Sequence, residues 1–307
     1  MQCLRPLKGG FDSSYNITFS KKKFNPEIES FEFPCRKCLP CRLNIAREKA
    51  IRCYHESKEF EDNIFLTLTY SPEHLKSPKL IYEDFQLFMK KLRKHIAPKK
   101  IGYMVTGEYG ELNKRPHWHV IIFNFSPSDA IYDRKTETGE NVYNSQLIDN
   151  LWQKGKTEFG SVTLDSASYV ARYAAKKLVH GNDQDHDYHP IHRTSSKHAI
   201  GKKWIEKNYE HVFNRGFVIL PNGEKSKIPR YYQDWLKQEH PEKYLDYVTR
   251  IRPKIIEKTK EKEKIDEEIF LKNLSTYDGG KYPLKQNQVR ETILKRKFKR
   301  LQEMLKL

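Results

Sequence analysis

Long apolar runs are missing from this sequence. Hydrophobic residues make up only 37% of it, mean hydropathy is −0.83, and no stretch approaches the ~20 apolar residues of a membrane-spanning helix. The opening Met1-Gln2-Cys3-Leu4-Arg5-Pro6 has no apolar run of the kind a secretory leader carries. The expectation is a soluble, intracellular chain with no membrane partner. Cysteine is also scarce, five in 307 residues, an odd and modest number that excludes a disulfide-built scaffold. Three of the five crowd into Cys35-Arg36-Lys37-Cys38-Leu39-Pro40-Cys41, a spacing that in an intracellular chain reads as metal binding before disulfides. Acidic residues are in deficit, 40 Asp+Glu against 57 Lys+Arg, for a formal charge of +17. Such an excess calls for a polyanion, and nucleic acid comes first because Lys and Arg gain affinity by releasing counterions from phosphates. A basic tail on a neutral body is the alternative. The 18 Tyr and 16 Phe serve base stacking or core filling alike.

Composition divides the chain into four stretches. Residues 1–60 hold every cysteine, with Phe31-Glu32-Phe33 as a short strand and a helix from just after Cys41 to about Phe60. Residues 61–180 carry the clearest pattern. Ile64 to Tyr70 is β-branched and aromatic with period two, a strand. Phe85, Phe88, Met89, Leu92 and Ile96 recur at three and four, a helix over Tyr82 to Ile96. Ile101 to Tyr109 and His117 to Phe125 read as strands, and the hairpin-like Gly110 to Pro116 between them makes the pair antiparallel. Ser161 to Leu164 reads as a short strand, after which Asp165 or Ser166 caps a helix running to about Val179. This order predicts an α+β fold, a central antiparallel β-sheet of about five strands flanked by helices. Residues 181–250 are rich in His, Asp and Tyr with little periodicity, and are expected as an accessory region packed on the core. Residues 251–307 are nearly all charge in Lys254 to Glu268 and Lys295 to Lys306, a basic tail of solvated helix or partial disorder.

His117-Trp118-His119 is the first candidate for chemistry. On a strand, positions i and i+2 share a face, so both imidazoles reach one cation. With twelve histidines in the chain a chance His-x-His pair is ordinary, so the weight comes from context. Glu108 lies near the end of the preceding strand, and the hairpin brings that end beside His117. A carboxylate and two imidazoles leave open positions on an octahedral Mg²⁺ or Mn²⁺, which polarises a phosphodiester oxygen. Glu111 and Asp165 are alternative third ligands, and a plain hairpin-end charge is the alternative role for Glu108. Downstream, Ala167, Val170, Ala171, Ala174 and Leu178 form one apolar helical stripe. Tyr169, Tyr173 and Lys176 fall within about 60° of each other away from that stripe. A phenol is a poor nucleophile at its ordinary pKa near 10, but a nearby cation lets its oxyanion attack phosphorus. Packing under a loop is the alternative for the tyrosines. Lys176 and Lys177 either steady a phosphate and protonate a leaving oxygen or are helix-surface charges.

On these residues the chain resembles the HUH endonuclease superfamily, which nicks single-stranded DNA through a 5′-phosphotyrosine. More closely, Phe65-Leu66-Thr67-Leu68-Thr69-Tyr70, Gly107-Glu108-Tyr109-Gly110, Arg115-Pro116-His117-Trp118-His119 and Tyr169-Val170-Ala171-Arg172-Tyr173 look like the replication initiation proteins of gokushoviruses, small single-stranded DNA bacteriophages of the Microviridae. The resemblance runs from Cys3 to about Tyr231-Tyr232 and includes Ile200-Gly201-Lys202-Lys203-Trp204 and Pro229-Arg230-Tyr231-Tyr232. It implies the HUH endonuclease fold, metal binding by His117 and His119, and nucleophilic roles for Tyr169 and Tyr173, whereas Glu108 is chosen on geometry. It also implies a rolling-circle initiator that nicks and rejoins phage-origin single-stranded DNA, leaves a 3′-OH primer for host polymerase and helicase, and works in the host bacterial cytoplasm. A relaxase or transposase of the same superfamily would use the same site. A non-enzymatic single-stranded DNA binding or packaging protein would bind in a salt-sensitive way and form no covalent product.

Two further clusters stand apart. Cys35, Cys38 and Cys41 are three thiolates in reach of one structural Zn²⁺, and a closed site needs a fourth. Cys3, in the loop-like N-terminus, is preferred over Cys53, which falls inside the expected helix; reduced thiols in a turn are the alternative. His186, His189 and His192 lie among acidic residues with no element to hold them, and read as a solvated loop.

Overall fold

The structure is a computed structural model of the chain. It describes residues 3–14, 16–28, 30–110, 114–137, 139–176, 191–195, 198–280 and 282–304, without the side chains of 172–176, 259, 262, 263, 287 and 298–304. In order the elements are β1 (Leu7–Phe11), β2 (Ile17–Thr18), β3 (Phe31–Phe33), α1 (Leu39–Ser57), β4 (Asn63–Thr69), α2 (Tyr82–His95), β5 (Gly102–Tyr109), β6 (Pro116–Phe123), β7 (Ile131–Lys135), β8 (Asn141–Asn144), α3 (Gln146–Trp152) and β9 (Thr157–Ser161). There follow α4 (Leu164–Lys176), β10 (Ile191–Thr194), α5 (Lys202–Arg215), β11 (Val218–Ile219), β12 (Lys225–Ser226), α6 (Arg230–Glu239), α7 (Pro241–Asp246), α8 (Arg252–Ser275) and α9 (Gln286–Met304). No helix among the described residues is long and apolar enough to cross a membrane. The chain forms two compact units, one of residues 46–255 and one of residues 1–45 with 256–307.

The larger unit is mixed α+β. Its sheet has seven strands in the order β10-β5-β6-β4-β9-β8-β7, and every pairing in it is antiparallel. Seven replaces the expected five or so, because three strands carry no legible alternation. Every residue of β7 is exposed, β8 and β10 have four residues each, and β10 lies at the edge of a His-rich stretch. The pairing of β7 with β8 shifts register between Tyr132 and Arg134.

Alternation along β4 shows how the sheet sorts its two faces. Ile64, Leu66 and Leu68 pack on one face with Phe85, Phe88, Met89 and Leu92 of α2 and Ile148 and Trp152 of α3. The opposite face carries Phe65, Met104, Ile121 and Phe123, covered by Ala46, Ala50 and Cys53 of α1 and by Ala167, Val170 and Ala171 of α4. The expected strand at Ser161 to Leu164 is corrected: β9 ends at Ser161, and Leu164 opens α4. Thr163, rather than Asp165 or Ser166, caps that helix. The Ser166 amide donates to Thr163 Oγ1 at 3.1 Å and the Thr163 amide to Ser166 Oγ at 2.8 Å, a reciprocal pair that satisfies amides the helix start leaves open.

A further core joins Ile51 of α1 to Ile205, Val212 and Phe213 of α5 and Tyr232, Trp235 and Leu236 of α6. Buried Glu56 accepts a 2.6 Å bond from the Gly201 amide and pairs with His198, while Arg52 donates twice to the Ile200 carbonyl. The end of α1 thus holds the entry to α5. In the other unit, β2-β1-β3 form a small antiparallel sheet, and ion pairs Lys285–Glu267 and Arg290–Asp266 join the α9 end of the chain to α8.

Burial of His55 gives this fold a pH dependence. The ring is 2% exposed, stacks on Trp204 at 3.5 Å and bonds Tyr232 Oη through Nδ1 at 3.0 Å. Burial lowers its pKa to about 3. The unfolded imidazole takes up a proton near pH 6.5 and the folded one does not, so stability is lost as pH falls from 6.5 toward 3. The loss at pH 5 is about 2 kcal/mol relative to neutral pH. Urea denaturation at both pH values checks this, and His55→Gln should flatten that part of the slope.

Candidate active site

Strand register assembles the site. Glu108 of β5 lies opposite His117 of β6, and His119 lies opposite Thr106 on one side and Thr67 of β4 on the other. All three candidate ligands therefore emerge on the face covered by α1 and α4. Trp118, between the histidines, points to the other face and is fully buried in the α2 core. Its ring fills the space beside Gly107, where a Cβ would come within 2.5 Å of it. A strand glycine and a tryptophan thus interlock directly behind the two imidazoles.

The polar contacts converge on one oxygen. Glu108 Oε1 is 2.9 Å from His117 Nε2 and 3.0 Å from His119 Nε2, and Tyr169 Oη of α4 donates to it at 3.3 Å. The same hydroxyl is 3.5 Å from His119 Nε2. Phe65 stacks on the His119 ring with centroids 5.6 Å apart, and Tyr169 meets that ring edge-on at 5.1 Å. Behind the ring, Thr67 Oγ1 is 3.1 Å from His119 Nδ1.

Glu108 and His119 are buried. Burial pushes the Glu108 carboxyl up, but hydrogen bonds from His117 and His119 and their charge outweigh it and hold its pKa at about 2. Burial moves the His119 pKa below its ordinary value despite the carboxylate. Near neutrality the site therefore offers an ionised carboxylate and a neutral His119 imidazole, the protonation states a metal ion requires. His117 adds a second sign of a cation. Its Nδ1 faces the Arg115 carbonyl at 3.2 Å and its Nε2 faces Glu108. Both ring nitrogens thus meet acceptors, so a proton or a metal ion belongs between Nε2 and the carboxylate. The three ligand atoms lie within 4.8 Å of one another and fit part of an octahedral set for Mg²⁺ or Mn²⁺.

The remaining candidates fall as follows. Asp165 is exposed in the first turn of α4 and is not in the metal-competent group. Glu111, Lys177, His186 and His189 lie outside the described residues. His192 stands on β10 opposite Thr106, in the cross-strand row that includes His119, so it is a strand residue rather than part of a loop. The backbone of α4 continues through Tyr173 and Lys176, but their side chains lie outside the described residues. Thr67 and Phe65 had no assigned role in the sequence, although the alternation of β4 already put them on the His119 face. The second metal-competent group is Cys3, Cys35, Cys38 and Cys41, whose sulfur atoms also lie within 4.8 Å of one another.

An antiparallel sheet that presents two imidazoles and a carboxylate to a helix-borne tyrosine defines a metal-competent site in a strongly basic protein. The family described as replication-associated protein ORF2 matches residues 63–178, the span from β4 through α4 that contains every residue of that site. Replication-associated protein VP4 of Bdellovibrio phage phiMH2K is 58% identical over the whole of both chains. Replication-associated protein ORF2 of Spiroplasma virus 4 is 32% identical over 84% of this chain and 88% of its own. Replication-associated protein ORF4 of Chlamydia phage 1 is 30% identical over 79% and 64%. The chain belongs to this family, the replication-associated proteins of the gokushovirus Microviridae. No solved structure matches it.

Two substitutions probe how the site is held. Gly107→Ala should destabilise the protein by about 1–3 kcal/mol through overpacking against Trp118, read by denaturant titration. Thr67→Val should weaken Mn²⁺ binding by about 10-fold or more through loss of the bond that orients His119. Calorimetric titration would show this, with Thr67→Ser restoring affinity.

Proposed function

We propose that the chain is a rolling-circle replication initiator of the HUH endonuclease class, which nicks and rejoins single-stranded phage-origin DNA through a 5′-phosphotyrosine. The observation that carries this reading is the Tyr169 hydroxyl at 3.3 Å from Glu108 Oε1 and 3.5 Å from His119 Nε2. It puts a candidate nucleophile within reach of any phosphate brought to the three ligands. The antiparallel sheet with both histidines on an inner strand supports the HUH assignment of the fold. We take residues 61–180 as the nuclease core, 1–60 as an N-terminal cysteine-rich segment, 181–250 as an accessory region and 251–307 as a basic tail.

Glu108, His117 and His119 would hold Mg²⁺ or Mn²⁺, which when bound draws electron density from a non-bridging phosphate oxygen and stabilises the charge that develops there. Phe65 and Thr67 fix the His119 ring. Tyr169 Oη attacks phosphorus, the P–O3′ bond breaks, and the phenolic proton ends on the departing 3′ oxygen. The 5′-phosphate remains on the tyrosine, so the bond energy is kept and rejoining needs no nucleotide triphosphate. The free 3′-OH serves host polymerase, with host helicase opening the duplex. Tyr173 lies four residues on in the same helix and would take the second cleavage after one circuit, with Lys176 acting on the phosphate or the leaving oxygen.

The test uses labelled origin single strand and Mn²⁺ on denaturing gels, with wild type, Tyr169→Phe, Tyr173→Phe and the double variant side by side. A protease-sensitive covalent adduct should form in wild type, disappear in the double variant and disappear with EDTA, while the single variants rank the two tyrosines. Salt-sensitive binding with no adduct or nick across several origin fragments and metals would overturn the nuclease reading in favour of a non-enzymatic DNA binder.

A further inference from the structure

Residues 3–39 have almost no core of their own. Among the described residues of this stretch only Gly9 and Gly10 are buried, while Leu7, Ile17 and Phe19 are at least half exposed. The three strands contain five, two and three residues, and their apolar contacts are a few ring pairs such as Phe11–Phe31 and Phe31–Phe33. A sheet this small is not stable by itself in water without another source of order.

That source is supplied by sulfur. Cys3 precedes β1, Cys35 and Cys38 lie in the turn after β3, and Cys41 lies in the first turn of α1, so three separate segments meet at one point. A tetrahedron with Zn–S bonds of about 2.3 Å has edges of about 3.8 Å, and Cys3 Sγ is 3.8 Å from Cys38 Sγ. Backbone amides point at the sulfurs: Cys35 N–H donates to Cys3 Sγ at 3.2 Å and Cys38 N–H to Cys35 Sγ at 3.3 Å. Arg36, between these cysteines, holds a left-handed φ of 60°, a conformation uncommon outside glycine that is kept where the surroundings over-determine it. Four thiolates around Zn²⁺ carry a net charge of −2, and Arg36, Lys37 and Arg42 in the same segment supply compensating cations. All four cysteines are free of disulfides.

We propose that Cys3, Cys35, Cys38 and Cys41 bind one Zn²⁺ in a closed tetrahedral site that orders residues 3–41 in place of a hydrophobic core. Four thiolates leave no open position for water or substrate, so the ion is structural. The proposal stands independently of the nuclease reading, because none of its ligands belongs to the Glu108, His117 and His119 group.

The test takes the full-length chain produced with zinc supplied. Elemental analysis should find about one zinc per chain, and the Co²⁺-substituted protein should show the intense visible bands of tetrahedral thiolate coordination. Cys35→Ser and Cys38→Ser should each lower zinc to below about a tenth per chain and open residues 3–38 to protease. Cys53→Ser should keep the ion, since that thiol is buried against Met104; so should a His117→Ala/His119→Ala double variant. Should the cysteine variants fail to fold, the Co²⁺ spectrum of the wild type still decides. Absence of zinc and of a thiolate spectrum in wild type, a disulfide among the four in freshly purified protein, or zinc lost with the histidines rather than the cysteines would each overturn the proposal. Adduct assays on the same preparations separate the two readings: zinc without adduct supports this site alone, and adduct without zinc refutes it alone.

Discussion

Antiparallel pairing between β5 and β6 is the constraint on which the larger unit's chemistry depends. A slip of one residue would turn His117 and His119 to the α2 face and bring Trp118 out. The slip is blocked by Trp118, whose ring lies against Gly107 directly across the strand pair and is fully buried among Tyr82, Phe85 and the rest of that core. A large hydrophobic anchor on one face therefore sets the positions of two polar side chains on the other. What stabilises the sheet and what assembles the site are the same residues seen from opposite sides.

The assembled cluster is polar in an otherwise apolar setting. Glu108 lies deep on the covered face, and a lone buried carboxylate would be driven toward its neutral form. Two imidazoles and a phenol turned toward it reverse that tendency. Removing any one of them alters the charge state of the rest, so the four side chains act as a unit. The Phe65 and Tyr169 rings close around His119, which lowers the dielectric around the imidazole and strengthens each of those contacts.

Much of this is legible in the sequence, and the parts that are not share a cause. The alternation of Ile64 to Tyr70 and the i, i+3, i+4 stripe of Phe85 to Leu92 point to β4 and α2 directly, because half of each element faces a core. β7 has no buried face, so IYDRK carries no periodic signal, and β10 is short with few apolar residues. In α5 the stripe Ile205, Val212, Phe213 is present but diluted by Lys and Glu, which hides a well-formed helix. Pairing Glu108 with the histidines follows from hairpin logic, whereas the proximity of Tyr169 to them is a tertiary fact that no local pattern encodes. The same holds for Cys3, which lies 35 residues from the cysteine it meets. Thr163 does not stand out as a cap because Asp165 and Ser166 are equally good capping types two and three residues later.

The sheet is open, so its outer edge is a place where another chain could add itself as an eighth strand. β7 discourages this by its composition and by its bend. Asp133, Arg134 and Lys135 are consecutive charges on the outermost strand, and Arg134 reaches back to Asp133 and Glu158. The irregularity between Tyr132 and Arg134 breaks the even spacing of amides and carbonyls that an incoming strand would need to match. The rim is thereby a poor template for self-assembly, and a basic sheet protein keeps its strands to itself without closing into a barrel.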